Sequence, residues 1–447
     1  MKVKAPSPIK SIKIEGLQQN RTVDVKFKNA FTVLIAENGM GKTTLLSILY
    51  AVLTGSFHKL NSHDFQRITV TFRDNSKTSI NRDDISAESQ LPEVLQKWRR
   101  TLTHSDYLEL IEAATSMSPQ RFRTNNTLRE KLKLSPMEMS RLQETLSRYR
   151  TDVLFEMPTN KLSLTEARDK IKKAINFELL YFPTYRRIEE SHENLGYQSN
   201  DRESRDSLIQ FGMEDVSIRI RNLTTSIKDS SVAWYSKING EILSHLVEGL
   251  NNSYIDSSYQ SNLSALNIVL DRVGNSISKT TREKILSLVN TKQIDAQEYN
   301  PLSYFLSKLM LVYNQQKAQD DAIKAFVSVC NKYLVNKEII YDESLVVISI
   351  IDLRTQMEIS LAMLSSGEKQ IVSLFSVLYL TDDKDFGILF DEPELSLSLE
   401  WQRQLLPDIL ATDRCKFLLA ATHSPFIFEN ELDMFAVDLA SYVEYFQ

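Results

Sequence analysis

Apolar and polar residues alternate at the start of the chain. The segments Ile9-Lys-Ser-Ile-Lys-Ile14 and Val23-Asp-Val-Lys-Phe27 predict strands with one face in water and one in a core. Phe31-Thr-Val-Leu-Ile35 is almost wholly apolar, and such a run predicts a strand covered on both faces. A glycine-containing turn follows, then an apolar helix over Thr44–Leu53. Alternation returns in Arg67-Ile-Thr-Val-Thr-Phe72.

From about residue 85 to 335 glycine becomes rare and helical spacing takes over. Val216, Ile220, Leu223, Ile227, Trp234, Ile238 and Ile242 recur at steps of mostly three, four or seven. Leu302, Phe305, Leu309, Val312, Tyr313, Ile323, Phe326, Cys330 and Tyr333 do much the same. Both patterns predict amphipathic helices with near-heptad seams, able to pack as a short arm or lid. Polar stretches at Ser199–Ser207 and Asn251–Ser264 predict connections. One strand-like piece, Phe177-Glu-Leu-Leu-Tyr-Phe182, interrupts the helices and is ended by Pro183.

Strand character resumes at Ile339–Tyr341 and Leu345–Ile351. A helix (Lys369–Leu380), a strand (Phe386–Phe390), a helix (Leu399–Leu410) and a strand (Phe417–Ala421) follow. The pattern predicts an α/β fold, a mixed sheet flanked by helices, assembled from residues 1–85 and 338–447. A large helical domain, residues 86–337, is inserted between the two halves.

Composition narrows the class. The chain has 447 residues, 42% of them hydrophobic and 25% charged, as an ordinary globular protein has. Its net charge of −5 excludes a protein that coats nucleic acid over its whole surface, so any DNA contact would use a local patch. Cys330 and Cys415 are the two cysteines, in no CxxC pair, which predicts neither a structural zinc nor a disulfide framework. The N-terminus lacks the apolar core of a signal peptide, and no run of about 18 apolar residues occurs. The expectation is a cytoplasmic protein with no membrane partner.

The segment Ala36-Glu-Asn38-Gly39-Met40-Gly41-Lys42-Thr43-Thr44 carries the first chemistry. It stands between a buried strand and a helix, where a phosphate-binding loop must stand. Its glycines let backbone N–H groups form a nest for phosphate oxygens, and the helix N-terminus adds positive partial charge. Lys42 is placed for the β- and γ-phosphates, and the Thr43 hydroxyl for Mg²⁺. Ala36 stands where the first glycine of the motif is usual. The strand Phe386-Gly-Ile-Leu-Phe-Asp391-Glu392-Pro393 ends in two acids. Asp391 suits the Mg²⁺ shell, and Glu392 suits the general base that polarises the attacking water. ATP and Mg²⁺ are the expected cofactors. His58 and His63-Asp64 lack a third well-spaced ligand, so a polar loop is the better reading there.

Two further motifs carry a resemblance. Leu364-Ser365-Ser366-Gly367-Glu-Lys-Gln370 resembles the signature of the ABC-type ATPases, in the Gly-Glu-Lys form of chromosome-maintenance and repair ATPases. Phe417-Leu-Leu-Ala-Ala-Thr-His423 resembles the strand that delivers their switch histidine. The resemblance covers roughly residues 9–85 and 338–440. It implies that Ser365, Ser366 and Gly367 meet the γ-phosphate of ATP held by another subunit, in a head-to-tail dimer. It also implies that His423 approaches the γ-phosphate. Ser366 departs from the glycine usual there. Glu392 is followed by Pro-Glu-Leu-Ser-Leu-Ser398 rather than Ala-Leu-Asp, which resembles the AAA_21 branch holding the lysogenisation-defect and phage-defence ATPases. Pro183-Thr-Tyr-Arg-Arg187 resembles a nucleotide-adjacent turn of that branch.

Four functions compete. A transporter subunit would be about half this size. A DNA-repair or chromosome-maintenance ATPase of the SMC or RecF type, acting on DNA, fits the near-heptad helices, but about 45 residues span only roughly 65–70 Å. An ATPase–nuclease fusion needs a catalytic domain after His423, where about 24 residues remain. An ATPase that governs a separate effector needs no chemistry beyond the motifs above. Here the chain resembles PtuA, the ATPase subunit of Septu anti-phage systems, which implies an HNH nuclease partner, PtuB-like, and possible DNA contact through the complex. The SMC- or RecF-like reading stays open beside it.

Overall fold

The structure is a computed structural model. It describes residues 6–37, 39–89, 162–184, 212–248, 262–273, 277–381 and 384–445, with scattered positions between 106 and 139. They divide into two compact units: residues 1–209 with 384–447, and residues 210–383.

Two sheets build the first unit. Strands β1 (Ile9–Leu17), β2 (Arg21–Lys26), β4 (Arg67–Phe72) and β5 (Lys77–Asn81) pair antiparallel in the order β2-β1-β4-β5. The short β13 (Val443–Tyr445) lies outside β2. Ile12, Ile14, Val23, Val25, Ile68 and Val70 turn one face of this sheet to the core, as the alternation requires. The second sheet contains β3 (Phe31–Ile35), β6 (Glu178–Phe182), β10 (Phe386–Asp391), β11 (Cys415–Thr422) and β12 (Ala436–Asp438). Its strands are all parallel, in the order β12-β3-β11-β10-β6. Every residue of β10 is buried, which explains why the run is continuously apolar up to its terminal acid.

Helix α1 (Lys42–Leu53) has few wet positions. Leu45, Leu46, Ile48, Leu49, Tyr50 and Val52 share one cluster with side chains from both sheets. A helix buried on nearly all sides reads as apolar without a clear stripe. The strand that interrupts the helical pattern, β6, is the edge of the parallel sheet and pairs in register with β10 (Phe182 with Phe390). Helix α2 (Arg82–Ser89) follows β5, and α3 (Leu162–Ala174) adds Leu164, Ala167 and Ile171 to the same core.

The second unit is built on two long helices, α4 (Met213–Glu248) and α7 (Asn300–Asn331), which pack together. The shorter α5 (Leu263–Arg272) and α6 (Lys279–Asn290) join their cluster through Leu266, Val269, Leu270, Ile285 and Val289. A hairpin-like sheet, β7 (Lys337–Asp342), β8 (Val347–Asp352) and β9 (Met357–Ile359), precedes α8 (Ser366–Leu380). Helix α9 (Leu399–Leu410) belongs to the first unit. Cys330 and Cys415 are free and buried, and burial pushes the Cys415 thiol up to about 12. Among the described residues no helix is long and apolar enough to cross a membrane.

One buried polar network ties the second unit together. The Arg272 guanidinium donates to both oxygens of Asp320 at 2.7 Å, and Tyr341 donates to Asp320 Oδ1 at 2.5 Å. Arg272 also donates to Gln316 Oε1 (2.9 Å), whose amide nitrogen reaches the Ile227 carbonyl (3.1 Å). Burial, then the Glu343 charge, pushes the Tyr313 hydroxyl up to about 12; burial and its bond to Asp320 raise Tyr341 as well. Both tyrosines are therefore neutral in the fold at pH values where they would ionise in the unfolded chain. Their contribution is complete below about pH 10 and is lost as the pH rises above it. Asp320 is 0% exposed. Removing one member of a buried pair typically costs about 3–5 kcal/mol, because the partner charge stays buried. Asp320→Ala should lower the urea midpoint of unfolding sharply. The double change Arg272→Met with Asp320→Leu should cost less than the single one.

Candidate functional site

The carboxyl ends of β3, β11 and β10 lie side by side, where parallel α/β sheets place their ligands. Strand β11 separates the two strands that carry the phosphate loop and the acids, and a bond from Ala36 N to the Thr422 carbonyl (3.1 Å) joins loop to strand.

The loop after β3 turns on two glycines. Gly39 and Gly41 both have φ of +85°, a conformation that side chains rarely adopt. A Cβ at Gly41 would stand 2.9 Å from Arg21 Nη2, so the buried Arg21 guanidinium lies against the turn. Arg21 Nη1 donates to the Met40 carbonyl at 3.1 Å and holds the loop from behind. Met40 packs against the core cluster. Gly41 is the N-cap of α1, and no side chain caps the helix there. Lys42, Thr43 and Thr44 form its first turn. Asn38 lies outside the described residues.

Lys42 is 5% exposed. Its ammonium donates to the Ala36 carbonyl at 2.9 Å and lies 3.4 Å from Glu392 Oε1. Thr43 Oγ1 donates to Asp391 Oδ2 at 2.6 Å, across 348 residues of sequence. Asp391 is 1% exposed and also accepts from Thr184 Oγ1 at 3.0 Å. Thr184 follows β6; of the turn Pro183–Arg187, Tyr185, Arg186 and Arg187 lie outside the described residues. Glu392 has φ of +49°, a left-handed conformation that few residues other than glycine adopt, at the point where the chain leaves the strand. Its backbone N–H donates to the Ala421 carbonyl (2.8 Å), which keeps the turn against β11.

His423 follows β11. Its Nδ1 lies 2.9 Å from Glu394 Oε1 and 4.0 Å from Glu392 Oε1. Asp391, Glu392, His423, Lys42 and Thr43 thus meet in one place.

The signature residues belong to the second unit. Ser365 is the N-cap of α8 in a capping box: its hydroxyl accepts from Glu368 N (3.4 Å), and Glu368 Oε2 accepts from Ser365 N (2.7 Å). Lys337 Nζ donates to the same carboxylate at 2.6 Å. Burial opposes the Glu368 charge, but these bonds prevail and hold the carboxyl below its usual value. Ser366 and Gly367 open the helix, whose N-terminal amides can face an anion.

Two residues of the first-unit site carried little signal in the sequence: Arg21 and Glu394. Arg21 stands in an alternating strand, and Glu394 in an acidic turn, where solvated side chains are ordinary. His63, by contrast, spends its ring on Ser47 Oγ (3.1 Å), and Asp64 accepts from Gln19 (3.0 Å).

The arrangement fits Mg²⁺-ATP. An uncapped helix N-terminus and two left-handed glycines form an anion cradle, and nothing stands within 4 Å of a Cβ placed at Gly39. Thr43 and Asp391 supply a hydroxyl and a carboxylate, the oxygen donors that Mg²⁺ prefers.

A family model described as "AAA ATPase domain" (AAA_15) matches residues 8–428. No curated protein matches. Among solved structures, an Smc head domain with an extended coiled coil from Pyrococcus furiosus, bound to the C-terminal domain of ScpA, is similar at 11% identity. That match covers 94% of this chain and 90% of that one, with a TM-score of 0.34.

Proposed function

The chain belongs to the AAA ATPase domain family, and from that premise we propose that residues 36–44 bind Mg²⁺-ATP and that Glu392 serves as the base in its hydrolysis. The observation that carries this reading is the 2.6 Å bond between Thr43 and Asp391. Two oxygens suited to one Mg²⁺ are brought together from opposite ends of the chain, beside Lys42. When bound, Mg²⁺ would offset the charge that develops on the phosphates. Lys42 gives up its bond to the Ala36 carbonyl to meet the phosphates. That exchange also releases Glu392 from its ion pair. Glu392, turned aside from Asp391 by its left-handed backbone, accepts a proton from the attacking water.

The site is completed by a second copy of the chain, in a head-to-tail dimer. Ser365, Ser366 and Gly367 meet the ATP of the partner subunit through the N-terminus of α8. Mixing Lys42→Ala protein with Ser365→Arg protein should then restore activity, since some heterodimers hold one intact site. The check is ATP hydrolysis across mixing ratios after verified subunit exchange. No recovery at any ratio means that the sites are not shared.

The nucleotide switch governs a separately encoded HNH nuclease, as the resemblance to Septu ATPases suggests. Support comes from α4, whose Ile218, Val232, Leu243 and Val247 are exposed apolar residues on a long helix. A partner that prefers one arrangement of these helices is switched to the extent of its differential affinity. The purified chain with Mg²⁺ or Mn²⁺ should leave plasmid DNA intact. Cleavage should appear when the HNH protein is added and should change with ATP. Cutting by this chain alone, lost when its own acids are replaced, overturns the reading.

A further inference from the structure

The acid two residues beyond the base is better placed on the histidine than the base itself. Glu394 is buried, and its Oε1 meets one residue twice: it accepts from the His423 backbone N–H at 3.0 Å and lies 2.9 Å from the ring Nδ1. Glu392 Oε1 is 4.0 Å from the same nitrogen, beyond hydrogen-bond reach. A carboxylate can only accept, so the nitrogen that faces it carries the hydrogen. In the neutral ring Nε2 is then left as an acceptor, able to take a hydrogen bond from the attacking water. The ring itself is 45% exposed, so packing alone would not hold it in one rotamer and one tautomer.

A second clamp keeps the same two turns together. Gln402, on α9, donates to the Leu397 carbonyl at 3.0 Å and accepts from Ser424 Oγ at 2.7 Å. Ser424 N donates to Thr422 Oγ1 at 2.9 Å. Gln402 also donates to the Glu394 carbonyl (3.4 Å), so this anchor holds the turn after β11 through the Glu394 backbone and survives removal of the Glu394 side chain.

We propose that Glu394 is a positioning residue for ATP hydrolysis, fixing the His423 ring with hydrogen on Nδ1 and Nε2 presented to the reaction. The proposal rests on the reading that this site hydrolyses ATP. Its own content is which carboxylate orders the histidine.

The test uses the full chain as wild type, Glu394→Ala, Glu394→Gln, His423→Ala and the double variant Glu394→Ala with His423→Ala. General acid–base and orienting groups contribute about 10²–10⁴-fold, and losing the orientation forfeits part of that. Glu394→Ala should lower kcat at least about tenfold while ATP affinity changes less than about twofold. Glu394→Gln keeps an acceptor oxygen and should recover much of the rate. The double variant should be no slower than His423→Ala, because the two groups act as one unit. A second readout needs no nucleotide. In 15N-histidine NMR spectra the His423 signal, assigned by its loss in His423→Ala, should show hydrogen on Nδ1 in wild type and lose that preference in Glu394→Ala. Wild-type turnover in Glu394→Ala, a loss that multiplies with that of His423→Ala, or an unchanged Nδ1 signal each overturn the proposal. A wild-type chain that neither binds nor hydrolyses ATP overturns the ATPase reading instead, and the NMR readout still decides the part played by Glu394.

Discussion

Glu392→Gln is expected to slow ATP hydrolysis by about 10²-fold or more while leaving ATP bound. The change keeps the size of the side chain and an acceptor oxygen. It removes the basicity needed to take a proton from water. The backbone should hold as before, since the Glu392 N–H keeps its bond to the Ala421 carbonyl whatever the side chain. Lys42 loses an ionic neighbour at 3.4 Å, which makes its ammonium more available to phosphate. ATP affinity should therefore be retained or rise, and the closed, ATP-bound form should accumulate. Single-turnover hydrolysis with enzyme in excess measures the chemical step without product release. A rate equal to that of wild type excludes Glu392 as the base.

Lys42→Ala should have the largest effect on binding. The ammonium is 5% exposed and stands at the start of α1, where the loop turns. Hydrogen bonds to charged groups contribute about 1.5–3 kcal/mol each. Bonds to two phosphates therefore amount to roughly 3–6 kcal/mol, or about 10²–10⁴ in affinity. The fold should survive, because Leu45, Leu46, Ile48 and Leu49 anchor the helix. Equilibrium dialysis with ATP should show retention by wild type and none by the variant at the same concentration. Equal retention would mean that Lys42 does not hold the phosphates.

Much of the site was legible in the sequence, and the reasons are physical. Strands β3, β10 and β11 are covered on both faces, so they read as apolar runs whose ends are marked by turns. The loop and the paired acids stand directly after those runs, so they could be located without knowing the topology. Strand β6 was equally visible as a strand, but its partner β10 lies about 200 residues away, and periodicity carries no information on pairing. The bond from Thr184 to Asp391 was hidden for the same reason. Strand β5 (Lys77–Asn81) and the short β9, β12 and β13 have too few apolar positions to stand out. Glu394 and Arg21 are polar residues in ordinary polar places. Only their burial marks them, and burial is a property of the packed chain.

In the proposed site Thr43 and Asp391 hold Mg²⁺ beside an ATP cradled by residues 36–44. Calorimetric titration of the wild-type chain with ATP, with Mg²⁺ present and with Mg²⁺ removed by EDTA, tests it most directly. One ATP should bind per chain, with an affinity that weakens when the metal is withdrawn. Absence of binding in the presence of Mg²⁺, or an affinity that ignores the metal, would contradict it.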